Sequence, residues 1–363
     1  MGSSLRTGRN REVRARSAGG TMDRGAMSSA WASASAHRLV PLNESTIYWE
    51  ANPRWHTEML LRDCVLCLRN GEAPCLPLPG ARRQCSSQQC SPQQLPLKPV
   101  GLRQNWASAA HILQHRTVLI IGDSLAGQQY DAMTGNATLA WSSRHLTGVQ
   151  NASTTNGETC VYGTGVLNPC ILERRVIEPL QTAVQFIRHS VTALPPGFDA
   201  EIRAADWLIL GGWHKSKRTM PLPRDAAEKL LTSALKLRGT PARILLTEDV
   251  GAAFPGPWWK PTKQCANSSN EGMNQGLNAR IGELAARYAD RGVGIIPLYA
   301  RFKERGDARK GPITRDNRTD AADCLHFCLD DPGTQVAWAG ATLMAISELE
   351  AAIHLRHRQD HAV

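Results

Sequence analysis

Short runs of β-forming residues alternate along the chain with segments of helical periodicity. The first run, residues 117–121, is Thr-Val-Leu-Ile-Ile, and comparable runs follow at residues 183–188, 206–212, 243–247 and 293–298. Strands without a polar side are typical of a parallel sheet that is buried on both faces. Apolar residues at helical spacing predict helices at residues 225–237, 274–291 and 335–354. The alternation predicts an α/β domain with a mostly parallel sheet and helices on both of its faces.

The segments outside this pattern predict the domain organisation. Residues 1–45 are rich in Ser, Gly, Ala and Arg, which predicts a disordered basic tail. Residues 46–100 contain Trp, Cys and Pro but little periodicity, so we expect a cysteine-rich cap there. The α/β core is predicted over residues 101–355, and cap and core together form one catalytic domain. Within the core, residues 136–156 are polar and are predicted to be a loop.

Candidate chemistry follows the first strand directly. Residues 117–121 continue into Gly-Asp-Ser, and open α/β sheets bind their ligands at the carboxyl ends of strands. A serine hydroxyl needs a base, and Asp323 and His326 are spaced so that both can reach one site. We therefore predict Ser124 as the nucleophile, His326 as general base and then acid, and Asp323 as the orienting carboxylate. Ala126 excludes the G-x-S-x-G nucleophile elbow, which requires glycine at that position.

Two motifs resemble those of a known family. Residues 122–125 (GDSL) and 323–329 (DCLHFCL) resemble the motifs of the trichome birefringence-like proteins, in the PC-esterase branch of the SGNH (GDSL-like) superfamily. The family usually has Trp where Phe327 stands here. The resemblance covers residues 48–350, strongly at both ends and loosely between them. It implies a three-layer α/β/α SGNH-like fold and a polysaccharide O-acetyltransferase of the secretory pathway, in the Golgi lumen.

The oxyanion of an acyl transfer reaction requires hydrogen-bond donors. We expect the backbone N–H of Ser124 and that of Gly212, at the end of the predicted strand at residues 206–212, to provide them. Members of the superfamily place a glycine at this point, and several have G-x-H, which residues 212–214 match. His214 is then a candidate substrate contact, although plant relatives have His and Trp in the other order. Alternatively, Gly212 only allows two backbones to pack closely.

Further candidate substrate contacts follow from the same resemblance. Gln128 and Gln129 occupy positions where the family has R-N-Q, and Gly127 replaces the arginine. Trp258 and Trp259 lie in a Pro- and Gly-rich segment, where aromatic rings can stack on the faces of sugars. These tryptophans can equally cover the core, and the sequence leaves both alternatives open.

Ten cysteines are many for a cytosolic enzyme, and their even number permits full pairing in an oxidising compartment. A zinc site at Cys64-x-x-Cys67 is the alternative, but no second C-x-x-C and no histidine pair follows, so no metal is expected. A bridge from Cys324 or Cys328 to Cys265 or to the N-terminal cluster would hold the D-x-x-H segment against Ser124. The disulfide candidates are Cys64, Cys67, Cys75, Cys85, Cys90, Cys160, Cys170, Cys265, Cys324 and Cys328.

Glycosylation sequons agree with secretion and occur at Asn43, Asn136, Asn151, Asn267 and Asn317. Residues 1–24 have no apolar core, so no signal peptide or membrane anchor is expected there, and secretion then requires a leader outside this sequence. The net charge of +10 is partly due to arginines in the tail. Without interleaved aromatics or a recognition motif, we expect no nucleic-acid partner.

The residues predict serine acyl chemistry, and the resemblance adds the substrate. An acetyl group would pass from a donor to Ser124 and then to a hydroxyl of a polysaccharide or oligosaccharide acceptor. No bound cofactor is expected, but an acetyl donor of unknown identity is required, either free or supplied by a membrane protein. The alternatives are a carbohydrate acetylesterase with the same triad and a catalytically inactive carbohydrate-binding protein.

Overall fold

The computed structural model describes thirteen stretches of the chain. They are residues 48–51, 97–100, 112–134, 149–162, 166–177, 180–189, 193–213, 226–251, 265–266, 271–303, 305–312, 322–327 and 332–360. The predicted basic tail and nearly all of the predicted cysteine-rich cap lie outside them.

Strands form three sheets within the described residues. Two are antiparallel pairs, β1 (Tyr48–Ala51) with β2 (Leu97–Val100) and β10 (Arg309–Pro312) with β11 (Ala322–Phe327). The main sheet has seven strands in the order β4-β5-β6-β3-β7-β8-β9. Its members are β3 (Thr117–Gly122), β4 (Val149–Tyr162), β5 (Val166–Ile177), β6 (Thr182–Arg188), β7 (Trp207–Leu210), β8 (Ile244–Thr247) and β9 (Val293–Ile296).

The main sheet is mostly parallel. Strands β6, β3, β7, β8 and β9 all run in one direction, and β5 and β4 add an antiparallel hairpin at one edge. The helices are α1 (Ser124–Thr134), α2 (Asp199–Ala204), α3 (Ala226–Arg238), α4 (Glu271–Arg287), α5 (Tyr299–Phe302) and α6 (Pro332–Asp360). None of the helices in the described ranges is long and apolar enough to cross a membrane.

The central strand β3 shows why the sequence forms this sheet. Val118 and Ile120 join one buried apolar cluster, while Leu119 and Ile121 join another, and all four side chains are fully buried. Because successive side chains of a strand point to opposite faces, both faces of β3 are covered. Helices α1 and α6 contribute to the first cluster, and α2, α3 and α4 contribute to the second. The prediction of an α/β domain with a mostly parallel sheet is confirmed.

The hairpin of β4 and β5 corrects one prediction. Residues 136–156 were expected to be a loop, but β4 begins at Val149 and pairs along its length with β5. Residues 154–159 are polar and exposed, so this strand carries no hydrophobic signal. Its structure comes from backbone pairing at the sheet edge and from the Cys160–Cys170 disulfide across the hairpin. Residues 136–148 lie outside the described ranges.

Candidate active site

The candidate site lies where the chain leaves two neighbouring strands toward opposite faces of the main sheet. Strand β3 lies between β6 and β7. The chain leaves β3 through α1, which belongs to one apolar cluster, and the next helix that the structure describes after β7 is α3, which belongs to the other. The carboxyl ends of β3 and β7 thus form a topological switch point, the usual ligand site of an open α/β sheet. Ser124 follows β3 and Gly212 follows β7.

Ser124 and His326 are in hydrogen-bonding contact. The distance from Ser124 Oγ to His326 Nε2 is 2.6 Å, although the residues are 202 positions apart in the sequence. Ser124 is the first residue of α1, and His326 is the second-last residue of β11. Both side chains are half-buried. When the ring proton is on Nδ1, Nε2 can accept the hydroxyl proton, as nucleophile activation requires.

Asp323 lies three residues before His326 in the same strand. In the β10–β11 pair its backbone is opposite Gly311. Its side chain lies outside the described part of the structure, so its orienting role stays a prediction.

Asp123 directly precedes the helix that carries the serine. Its Oδ1 accepts a hydrogen bond from the Leu125 N–H at 2.8 Å, and its backbone oxygen accepts one from Gly127 N–H at 3.0 Å. A side-chain bond of this kind is an N-cap, and it satisfies one of the N–H groups that a helix start leaves without an intrahelical partner. The aspartate of the GDSL motif therefore fixes Ser124 at the first position of α1.

Glycines let the ends of β3 and β7 meet. A Cβ on Gly122 would lie 2.1 Å from the backbone oxygen of Gly211, and a Cβ on Gly212 would lie 2.1 Å from Asp123 Oδ1. Gly212 also has φ +70°, a conformation that favours glycine. The close-packing role left open by the sequence is therefore real, and it places Gly212 against the residue that precedes Ser124. The oxyanion role of the Ser124 and Gly212 N–H groups stays a prediction.

The strand that carries His326 is fixed on its amino-terminal side. Cys324 is disulfide-bonded to Cys265. The buried guanidinium of Arg309 donates to the backbone oxygen of Leu325 and, at 3.3 Å, to that of Val250. The expected link from Cys324 to Cys265 is thus present, and it holds the backbone two residues before His326.

On the carboxyl-terminal side, Phe327 anchors the strand through its ring. The ring is 1% exposed, and its centroid lies 3.6 Å from Arg309 Cζ, a cation–π contact. It also makes edge contacts with the rings of Phe302, at 5.2 Å, and Trp338, at 5.6 Å. The backbone of β11 is therefore held on both sides of a histidine that is itself half-exposed.

The side chains of Gln128 and Gln129 are buried and engaged within the protein. Gln128 Nε2 donates to the backbone oxygen of Phe327 at 2.7 Å, and Gln128 Oε1 accepts from the Phe327 N–H at 3.1 Å. Gln129 donates to Thr342 Oγ1 at 3.0 Å and accepts from Thr247 Oγ1 at 3.2 Å. The sequence suggested substrate contacts for both, but these bonds occupy the two carboxamides and direct them inward.

A buried histidine that the sequence analysis missed lies beside the end of β3. His189 directly follows β6, and its backbone N–H donates to the backbone oxygen of Gly122 at 2.9 Å. Its Nδ1 accepts a hydrogen bond from Val161 N–H at 3.3 Å, and burial lowers the pKa of its imidazole. The sequence offered one signal for His189, its position directly after a predicted strand. Asp123 follows β3 in the same way, and the carboxyl ends of neighbouring parallel strands lie close together.

Comparisons with known proteins give no family. The sequence matches no protein-family model, and no curated protein matches it. The functional proposal therefore depends on the chemistry of the site and on the motif resemblance described above.

Several predicted site residues lie outside the described ranges. They are His214, Trp258, Trp259, Cys64, Cys67, Cys75, Cys85, Cys90 and Cys328. The remaining cysteines form the Cys160–Cys170 and Cys265–Cys324 disulfides. Among the residues that are described, no group of three or more His, Cys, Asp or Glu side chains is arranged to hold a metal ion.

Proposed function

We propose that the protein is a serine-dependent O-acyltransferase that works by double displacement. The observation that carries the proposal is the 2.6 Å contact between Ser124 Oγ and His326 Nε2. Ser124 lies at the first position of α1 and at the switch point of the sheet, where N–H groups of the backbone can face an anion.

The first half of the proposed reaction acylates the serine. His326 Nε2 takes the hydroxyl proton as Ser124 Oγ attacks the carbonyl carbon of the acyl donor. The N–H groups of Ser124 and Gly212 stabilise the tetrahedral oxyanion, which collapses when the donor's leaving group departs with the proton from His326. Asp323 holds the imidazole in orientation and stabilises its protonated form.

The second half transfers the acyl group. A hydroxyl of the acceptor enters, His326 takes its proton, and the oxygen attacks the acyl carbonyl on Ser124. The new ester leaves when Ser124 Oγ recovers the proton from His326, which restores the free enzyme.

The acceptor and the acyl group come from the motif resemblance. We infer an SGNH-like three-layer domain of the trichome birefringence-like type that acetylates hydroxyls of a polysaccharide. The apolar clusters on the two faces of β3 support the layered fold.

The proposed location is the secretory pathway, in the Golgi lumen. The Cys160–Cys170 and Cys265–Cys324 disulfides support it, because such bonds persist in oxidising compartments. The glycosylation sequons agree with this location. In that compartment the acetyl group would come from a soluble donor or from a membrane protein that supplies it.

Hydrolysis is the second candidate, and the exposure of the site favours it. Ser124 and His326 are only half-buried, so water can reach an acyl group on Ser124. With water as acceptor, the same residues would make the protein a carbohydrate acetylesterase.

Intact-mass spectrometry after incubation with a small activated acetyl ester tests the proposal. Wild type and Ser124→Ala are produced in a secretory host and compared. We expect one acetyl adduct that requires Ser124 and is discharged faster by oligosaccharides than by water. Equal discharge by water identifies an esterase, and no adduct on folded, oxidised wild type overturns serine acyl chemistry in favour of a binding protein.

A further inference from the structure

One side chain links the helix of Ser124 to the strand of His326. Gln128 lies four residues after Ser124 in α1, one helical turn on. Its carboxamide makes two hydrogen bonds, at 2.7 and 3.1 Å, to the oxygen and the N–H of Phe327, the residue that follows His326. Two antiparallel bonds to one residue fix both the distance and the rotation of the strand relative to the helix.

The other anchors of β11 attach it elsewhere. The disulfide joins Cys324 to Cys265, and Arg309 ties Leu325 to Val250. Of the polar and covalent anchors described above, Gln128 is the one that belongs to the helix of the nucleophile. Among these anchors, only the Gln128 bonds therefore fix the strand of His326 directly to the helix of Ser124.

We propose that Gln128 is a positioning residue that sets the distance between Ser124 Oγ and His326 Nε2. This inference rests on the proposed serine acyl chemistry for its catalytic meaning. The carboxamide is 6% exposed, so it acts through the backbone of Phe327 and does not touch the substrate. Misplacing a reacting group by about 1 Å can reduce a rate about a hundredfold. A small shift of His326 relative to Ser124 would therefore be enough to slow acylation.

The chain offers a matched control. Asn278 makes the same pair of bonds, accepting from Asp249 N–H at 2.8 Å and donating to the Asp249 oxygen at 3.0 Å. Its side chain is 7% exposed, close to the value for Gln128. Gln128→Met and Asn278→Leu each replace one buried carboxamide clamp with an apolar side chain of similar length. Only the first clamp bonds directly to the strand of His326, whereas the Asn278 clamp holds Asp249, next to Val250.

The first experiment measures the rate of Ser124 acylation by the activated acetyl ester under conditions where thermal unfolding shows every variant to be folded. We expect Gln128→Met to slow acylation about a hundredfold with KM changed less than about twofold. Asn278→Leu should lower Tm similarly and slow acylation less than about threefold. Equal rates for the two folded variants would overturn the proposal.

A second readout does not require turnover. Nitrogen NMR of the histidine rings, with the His326 signal assigned by its loss in His326→Gln, reports the hydrogen bond to Ser124. We expect Gln128→Met to move the Nε2 signal toward its position in Ser124→Ala, and Asn278→Leu to leave it unchanged. If wild type forms no acyl-enzyme but this shift occurs, the proposed function fails while the positioning role stands. An unmoved signal in Gln128→Met overturns the positioning role.

Gln128→Glu adds a pH signature that a loss of packing would not give. An ionised glutamate still accepts from Phe327 N–H but faces the Phe327 oxygen with negative charge, whereas the protonated acid can donate to it. The acylation rate of Gln128→Glu relative to wild type should therefore rise as the pH falls. A constant ratio in folded protein would count against the proposal.

Discussion

Cys265 is covalently joined to Cys324, two residues before His326. The disulfide thus connects a distant segment to the strand that presents the candidate base. Cys265 and Cys324 are 59 residues apart in the sequence, whereas Cys160 and Cys170 are 10 residues apart. The two bonds differ in the loop that they close and in the element that they hold, and each difference has a measurable consequence.

Removing the first disulfide should affect both stability and reactivity. Loop-closure entropy predicts that Cys265→Ala with Cys324→Ala costs about 4 kcal/mol, and Cys160→Ala with Cys170→Ala about 3 kcal/mol. Under conditions where both double variants are folded, only the first should slow Ser124 acylation, by about tenfold or more. Denaturant unfolding and intact-mass kinetics measure the two effects. Equal acylation rates would show that the bond does not position His326.

A side chain at Gly212 should displace the start of α1. The new Cβ of Gly212→Ala would lie 2.1 Å from Asp123 Oδ1, and the backbone there has φ +70°. Gly239→Ala is the control, because Gly239 has φ +74° with nothing within 4 Å of the added Cβ. Both should lose about 1 kcal/mol from the backbone conformation, and Gly212→Ala should lose more and slow acylation about a hundredfold. A Gly212→Ala variant that behaves like Gly239→Ala would contradict the packing described here.

Burial of His189 predicts a pH-dependent stability. Because burial lowers the pKa of His189 in the folded protein below its ordinary value of 6.5, the unfolded chain takes up this proton at higher pH. The associated stability is fully present above about pH 6.5 and is lost as the pH falls through the folded pKa. His189→Asn keeps an acceptor for Val161 N–H but does not titrate. Wild type should therefore lose more unfolding free energy than this variant between about pH 7 and pH 5, as measured by urea unfolding; parallel losses would refute the prediction.

Replacing Phe327 by the larger tryptophan should destabilise the protein, although the family that the sequence resembles usually has tryptophan at this position. The ring is enclosed by Phe302, Trp338 and the guanidinium of Arg309. Overpacking of a filled core commonly costs about 1–3 kcal/mol, so Phe327→Trp should unfold at lower denaturant concentration than wild type. A variant at least as stable as wild type would mean that this pocket retains space for the larger ring.

Much of the sheet was predictable because its strands are buried on both sides. The β-forming run that contains Val118 and Ile121 admits few other structures, and the same holds for the strands that end at Leu210 and Thr247. Strand β4 was not predictable in this way, since its exposed polar residues 154–159 give no periodic hydrophobic signal. Edge strands are specified by backbone pairing, which the side-chain pattern does not record.

The pairing of Ser124 with His326 was predictable from the sequence, but the contacts that support the pair were not. Ser124 was indicated by its place after a buried strand, and His326 by its spacing from Asp323. The sequence did not indicate the inward-facing bonds of Gln128. A glutamine near a nucleophile appears the same in the sequence whether its carboxamide binds a substrate or a backbone.

The sequence by itself determined many local elements of this protein: where the buried parallel strands run, where the helix of Ser124 begins, and which residue types are available for the proposed acyl chemistry. These features depend on side-chain periodicity and on capping, which act over a few residues. Only the tertiary structure decided that Ser124 meets His326, that Cys265 pairs with Cys324, and that Gln128 joins helix to strand. Such contacts between distant residues arise from the packing order of the strands, which local patterns leave undetermined.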